Sequence, residues 1–146
     1  MEPTMIAILA AALCILICSG AALLSIKICA PALASVTSEK PELGSKLVIS
    51  IILGEALAIY GLLIAFMIIG RLPDITTQDD AMLALVSAAT MGITAIMASI
   101  GISYCGPAMM AAAVEKPDSF TTNILGLVLS EALAIYGLLI SFMILG

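Results

Sequence analysis

The chain alternates long apolar stretches with short polar ones, and the apolar stretches are too long for a water-facing fold. Four of them are predicted as helices: from about Met5 into the thirties, from about Ser45 to Ile69, from about Asp80 to Ala113, and from about Thr121 to the end. Each has the roughly 20 residues needed to cross about 30 Å of hydrocarbon. Polar connections separate them at Ser38-Glu39-Lys40-Pro41-Glu42, at Arg71-Leu72-Pro73-Asp74 through Asp80, and at Glu115-Lys116-Pro117-Asp118. The expected fold is an all-α membrane protein with four transmembrane helices. Pro31 and Pro107 lack an amide hydrogen and are expected to weaken or bend the first and third helices.

The pattern also repeats. A shift of 76 lays Gly54 through Gly70 on Ser130 through Gly146, and fourteen of seventeen positions are identical. The same shift pairs Cys29-x-Pro31-Ala32 with Cys105-x-Pro107-Ala108, and Lys40-Pro41-Glu42 with Lys116-Pro117-Asp118. The chain is thus read as two tandem hairpins, residues 1–70 and 80–146, joined by an extracytoplasmic linker over 71–79. Each copy crosses the membrane twice, so the two copies lie parallel. Parallel repeats meet head to tail, and such contacts generate closed rings when their rotation closes. A ring of copies is expected. Small residues crowd the first helix (Ala10, Ala11, Gly20, Ala21) and the third (Ala88, Gly92, Ala95, Gly101), which lets backbones approach closely. The bulkier second and fourth helices are expected to form an outer layer.

Composition sharpens this picture. Hydrophobic residues make up 63% and charged ones 10%, against about 25% charged in soluble domains. Little chain is left for a domain in water. The net charge is −5, with neither histidine nor tryptophan and no basic patch, which excludes nucleic-acid binding. Lys27, Lys40, Lys46 and Lys116 fall on the side of the two Lys-Pro loops, and Arg71 falls opposite, among Asp74, Asp79 and Asp80. The excess of lysine predicts cytoplasmic Lys-Pro loops, with both termini outside. The sequence opens Met1-Glu2-Pro3 without a basic region, so its first apolar segment is expected to be retained rather than cleaved. Cys14, Cys18, Cys29 and Cys105 all lie in apolar stretches, with no CxxC pair and no metal-ligand cluster.

The candidate chemistry is a pair of carboxyls. Glu55 and Glu131 stand at matching positions near the middle of the second and fourth helices. An ionised side chain at that depth costs roughly 2.5–3.5 kcal/mol on insertion scales, so such residues are functional by default. The helical neighbours of Glu55 are Ile51, Ile52, Ala58 and Ile59, and those of Glu131 are Leu127, Val128, Ala134 and Ile135. None can pair with a charge, so each carboxyl is expected to rest as the neutral acid. Releasing its proton needs an aqueous path or a cation from another subunit, because the one arginine, Arg71, is in a loop. Tyr60 and Tyr136 follow each glutamate by five residues, and with Ser25, Ser103 and Tyr104 they are candidates for supporting hydrogen bonds.

The Glu-Ala-Leu-Ala-Ile-Tyr-Gly-Leu motif and the Lys-Pro loop make the chain resemble, over essentially its whole length, the proteolipid subunit (c or K) of V-type and A-type rotary ATPases. The resemblance implies a rotor ring, whose helix carboxyls load and unload an ion as they pass a stator subunit with a membrane-buried arginine. It makes Glu55 and Glu131 the ion carriers of a component that is not an enzyme on its own. It also implies that the Lys40 and Lys116 loops face the central stalk. Many duplicated members keep the carboxylate only in the last helix, whereas both hairpins keep it here. That implies two ions per subunit, a higher ion-to-ATP ratio and a prokaryotic cell membrane. Sodium-carrying relatives add a glutamine and a hydroxyl or amide beside the carboxylate. Here Gln78 and Asn123 lie in or near loops, and Ala56 and Ala132 follow the glutamates. The expected ion is H⁺, with Na⁺ at Glu55 and Glu131 as the alternative, and no cofactor is expected. A small proton-coupled secondary transporter is the rival reading, disfavoured by the parallel duplication and by the absence of a tryptophan to hold a hydrophobic cation.

Overall fold

A computed structural model describes all 146 residues. Four helices are long and apolar enough to cross a membrane: α1 (Pro3–Glu39), α2 (Pro41–Gly70), α3 (Gln78–Glu115) and α4 (Pro117–Leu145). They run beyond the apolar stretches, because what ends them is backbone chemistry rather than hydropathy. A proline disfavours helical geometry in the residue before it. Lys40 and Lys116 accordingly leave the helix, at φ −133° and −137°. Pro41 and Pro117 then open single 3-10 turns, Pro41–Leu43 and Pro117–Ser119, from which α2 and α4 continue. At the start of α3, Thr77 and Asp80 form a reciprocal capping box, which satisfies amide donors the first turn leaves free. The helix therefore begins at Gln78, ahead of the expected Asp80. Pro31 and Pro107 lie inside α1 and α3 without interrupting either.

The bundle is built around α1 and α3. They pack on one another, α2 packs on α1, α4 packs on α3, and α2 makes thinner contacts with α3 and α4. Lys40 Nζ donates to the carbonyl of Val114 in the last turn of α3, so both Lys-Pro loops share one end of the bundle. At the other end Gln78 Nε2 donates to the carbonyl of Met1 at 2.9 Å. Large apolar side chains such as Leu16, Phe66, Leu129 and Met143 remain exposed on the outside, as helices that are apolar all round require a nonpolar surrounding.

Close approach within each hairpin follows from paired small residues. A Cβ on Gly61 would fall 2.3 Å from Cβ of Cys18, and one on Gly137 would fall 2.6 Å from Cβ of Thr94. The three differences within the seventeen-residue repeat are Gly54/Ser130, Ala65/Ser141 and Ile69/Leu145, and the first two are compensated on the facing helix. In the first hairpin Ser25 covers Gly54; in the second, Ser130 covers Gly101, the counterpart of Ser25. Ala65 has its counterpart in Ser141, which exchanges hydrogen bonds with Ser87 across α3 and α4, at 3.1 and 2.9 Å. Ser87 in turn corresponds to Ala11 of the first hairpin, and Ala11 and Ala65 are both buried.

Candidate functional site

Glu131 is presented by the middle of α4 and is only 7% exposed. Its neighbours along the helix, Leu127 and Ala134, are fully buried beside it. Its one hydrogen-bond partner is the hydroxyl of Tyr60, which donates to Oε1 from α2 of the other hairpin. Tyr60 thus meets the counterpart of Glu55 rather than the counterpart of itself. Ser130 directs its hydroxyl at the carbonyl of Gly126 on its own helix, at 2.7 Å, and not at the carboxyl.

Glu55 has the same flanking sequence and a different environment. It is exposed on the outside of α2, flanked by the exposed Ile52 and Ile59, with no hydrogen-bond partner. Its matching tyrosine, Tyr136, is 60% exposed and equally unpartnered.

The remaining candidates lie elsewhere. Ser25 donates to Ser99 at 2.9 Å and to the carbonyl of Ala21 on its own helix. Ser103 is buried without a partner, and Tyr104 is exposed. Both line a groove on the α1–α3 side of the bundle with Leu24, Ile28 and Ile100. Among the five candidate supports, the structure brings only Tyr60 to a glutamate. Gln78 and Asn123 are also remote, the first bonded to Met1 and the second to Ser119. Ser99, which donates to the carbonyl of Ala21 at 2.6 Å and joins α1 to α3, went unremarked in the sequence. Its counterpart under the repeat is Leu23, so duplication does not point to it.

A carboxyl with a single phenol donor, in an apolar setting and without a cation, can take up and give back one proton.

Both hairpins match one family, that of the ATP synthase C subunit, over residues 9–68 and again over 85–144. The 16 kDa proteolipid (c) subunit of the V-type proton ATPase of Rattus norvegicus is 30% identical over 112 residues, covering 77% of this chain and 72% of the relative. The protein of the same name from Homo sapiens is 28% identical over the same shares. That from Ascaris suum is 31% identical over 108 residues, or 72% of this chain and 67% of the relative.

Proposed function

We propose, from the premise that this chain belongs to the ATP synthase C subunit family, that it is a proteolipid subunit of a rotary ATPase and carries protons on Glu131 and Glu55. It is a membrane component of such a complex rather than its ATP-hydrolysing part, as its relatives' names imply. The observation that carries the reading is Glu131, a nearly buried carboxyl in mid-helix whose only partner is the Tyr60 hydroxyl of the other hairpin. Held as the neutral acid, such a group moves through hydrocarbon at little cost; as a carboxylate it does not.

Deprotonation must therefore happen where a cation or water is supplied. Arg71 cannot serve, because it stands at the end of α2 beside Asp74. A buried arginine on a stator subunit fits the need. The copies form a ring, each carboxyl meeting the stator in turn. With two carboxyls per chain, each copy carries two protons per revolution. The excess of lysine supports a cytoplasmic side for the Lys-Pro loops, where they would meet the central stalk, and a carboxyl in both hairpins favours a prokaryotic owner. Of the two loop lysines, Lys116 is the exposed one, since the Lys40 ammonium is engaged by the carbonyl of Val114.

Carbodiimide labelling of the purified complex tests the carrier assignment. Glu131 and Glu55 are expected to react, more slowly as pH rises and indifferently to Na⁺. Protection by Na⁺ at fixed pH would replace the proton with sodium, and failure of both glutamates to react would overturn the carrier role.

A further inference from the structure

The four helices are tied to one another unequally. α1 and α3 are joined by the Ser25 hydroxyl donating to Ser99, by Ser99 donating to the carbonyl of Ala21, and by the Cys29 thiol donating to the carbonyl of Ile102. Near their ends Gln78 donates to the carbonyl of Met1, and Lys40 to that of Val114. α4 is pinned to α3 by Ser87 and Ser141, each hydroxyl donating to the other's backbone carbonyl, at 3.1 and 2.9 Å. α2 has no such pair. Its Ser50 hydroxyl donates within its own helix, to the carbonyl of Leu47. What reaches it from other helices is the Cys14 thiol, on the carbonyl of Gly61 at 3.6 Å, and what it sends out is the Tyr60 hydroxyl, to Glu131. A thiol is a weak donor, which leaves the phenol as the one strong tie.

Packing does not offset the difference. The two hairpins interlock through glycines at matching places, Gly61 against Cys18 as Gly137 against Thr94, and Gly54 against Ser25 as Gly101 against Ser130. Hydrocarbon gives helices no hydrophobic drive to associate, so packing and interhelical hydrogen bonds hold them. With the packing matched, the Ser87–Ser141 pair is what distinguishes α4 from α2. Its counterparts in the first hairpin, Ala11 and Ala65, are buried and offer no donor.

We infer that α2 is the movable carrier helix of the chain and α4 the fixed one. α2 turns about its long axis against α1 and takes Glu55 with it, while the Ser87–Ser141 pair holds α4, and Glu131 on it, in place against α3. The inference rests on the carrier reading above for its meaning and on the helix ties for its geometry. Glu55 stands on the outside of α2, where a turn of the helix changes what the carboxyl faces. Glu131 is nearly buried on a pinned helix, and it keeps its place while the Tyr60 bond is made or broken. The two carboxyls of one chain therefore reach an ionising partner by different motions, although their flanking sequences are nearly the same.

Nitroxide labels at matched positions measure the motion in the intact complex. Leu63 of α2 and Leu139 of α4 are counterparts, 44% and 54% exposed. Each is replaced by cysteine in a Cys105→Ala background, the other three native thiols being fully buried. The label on Leu63→Cys is expected to be the more mobile. Ala11→Ser with Ala65→Ser transplants the hydroxyl pair into the first hairpin. It is expected to lower the ratio of mobile to immobile label there about eightfold, as two interhelical bonds of average strength in a membrane imply. Ser87→Ala with Ser141→Ala removes the pair from the second hairpin and is expected to raise the ratio at Leu139→Cys by a similar factor. Equal mobility of the two labels, or spectra indifferent to both exchanges, would overturn the inference. ATP-driven pumping by the same complexes separates it from the carrier reading. Slower pumping with the transplanted pair is expected; an immobilised α2 with unchanged pumping would overturn the part of α2 motion in carriage and leave the unequal ties standing.

Discussion

Exchange of one side chain between the hairpins provides a quantitative test of how α2 is held on α1. Gly54→Ser places a Cβ 2.8 Å from Cβ of Ser25, roughly 0.7 Å short of the ~3.5 Å at which carbon atoms pack best. The backbone of Ser25 is fixed in mid-helix, so α1 and α2 must move apart, and overpacking of this kind costs about 1–3 kcal/mol. Glu55 is the next residue along α2 and is displaced with it. The second hairpin contains the remedy, since it has Gly101 where the first has Ser25 and Ser130 where the first has Gly54. Ser25→Gly alone loses its hydrogen bond to Ser99, worth about 1 kcal/mol. The double variant suffers that loss and not the overlap, so it is expected to be more stable than Gly54→Ser alone. A coupling of about 1–2 kcal/mol is expected, within the range for contacting residues. The assay is loss of helical circular dichroism on titrating dodecyl sulfate into the protein in mild detergent, for wild type, both single variants and the double. Strict additivity, or a Gly54→Ser variant as stable as wild type, would refute the packing argument.

Other outcomes follow from the same geometry. Tyr60→Phe keeps the ring and removes the one donor to Glu131, so it is expected to speed carbodiimide labelling of Glu131 about fivefold and spare Glu55. An unchanged Glu131 would show that the phenol does not govern the carboxyl. Replacing Ser87 and Ser141 together by alanine recreates the Ala11–Ala65 contact of the first hairpin. The double change is expected to cost no more than about 1–3 kcal/mol for its two hydrogen bonds, measured in the same titration; a larger loss would mean that the two hairpins do not pack alike there. Glu55→Gln is expected to impair ATP-driven pumping severely if every carboxyl of a ring must pass the stator, and near-normal pumping would remove Glu55 from the set of carriers.

Much of the fold was legible in the sequence because lipid leaves few alternatives: apolar stretches of spanning length must become helices, and a shift of 76 with near-identity makes two hairpins of them. The helix ends were less legible. The apolar run of α1 gives way to Ser35-Val36-Thr37-Ser38, yet the helix continues to Glu39, where Pro41 rather than polarity halts it. The carboxyls were legible as a pair, but their inequality was not. Glu55 and Glu131 share flanking residues, and what separates them is which hairpin lies alongside, a property of order in the chain rather than of local sequence. For the same reason Tyr60 and Tyr136 were indistinguishable in the sequence, although only Tyr60 has a carboxyl within reach in one chain. Ser25 drew notice for its hydroxyl, and the structure gives that hydroxyl to Ser99 and Ala21. The compensated pairs, Ser25 with Gly54 and Ser130 with Gly101, were present in the sequence as isolated differences and became meaningful once α1 and α2 were in contact.

Proton carriage across the membrane by the buried glutamates is tested most directly by reconstituting the intact ATPase into liposomes and following ATP-driven acidification in a medium free of sodium. Pumping is expected in that medium from the wild-type complex and not from one bearing Glu131→Gln. Pumping that requires sodium, or that survives the loss of Glu131, would contradict proton carriage on these residues.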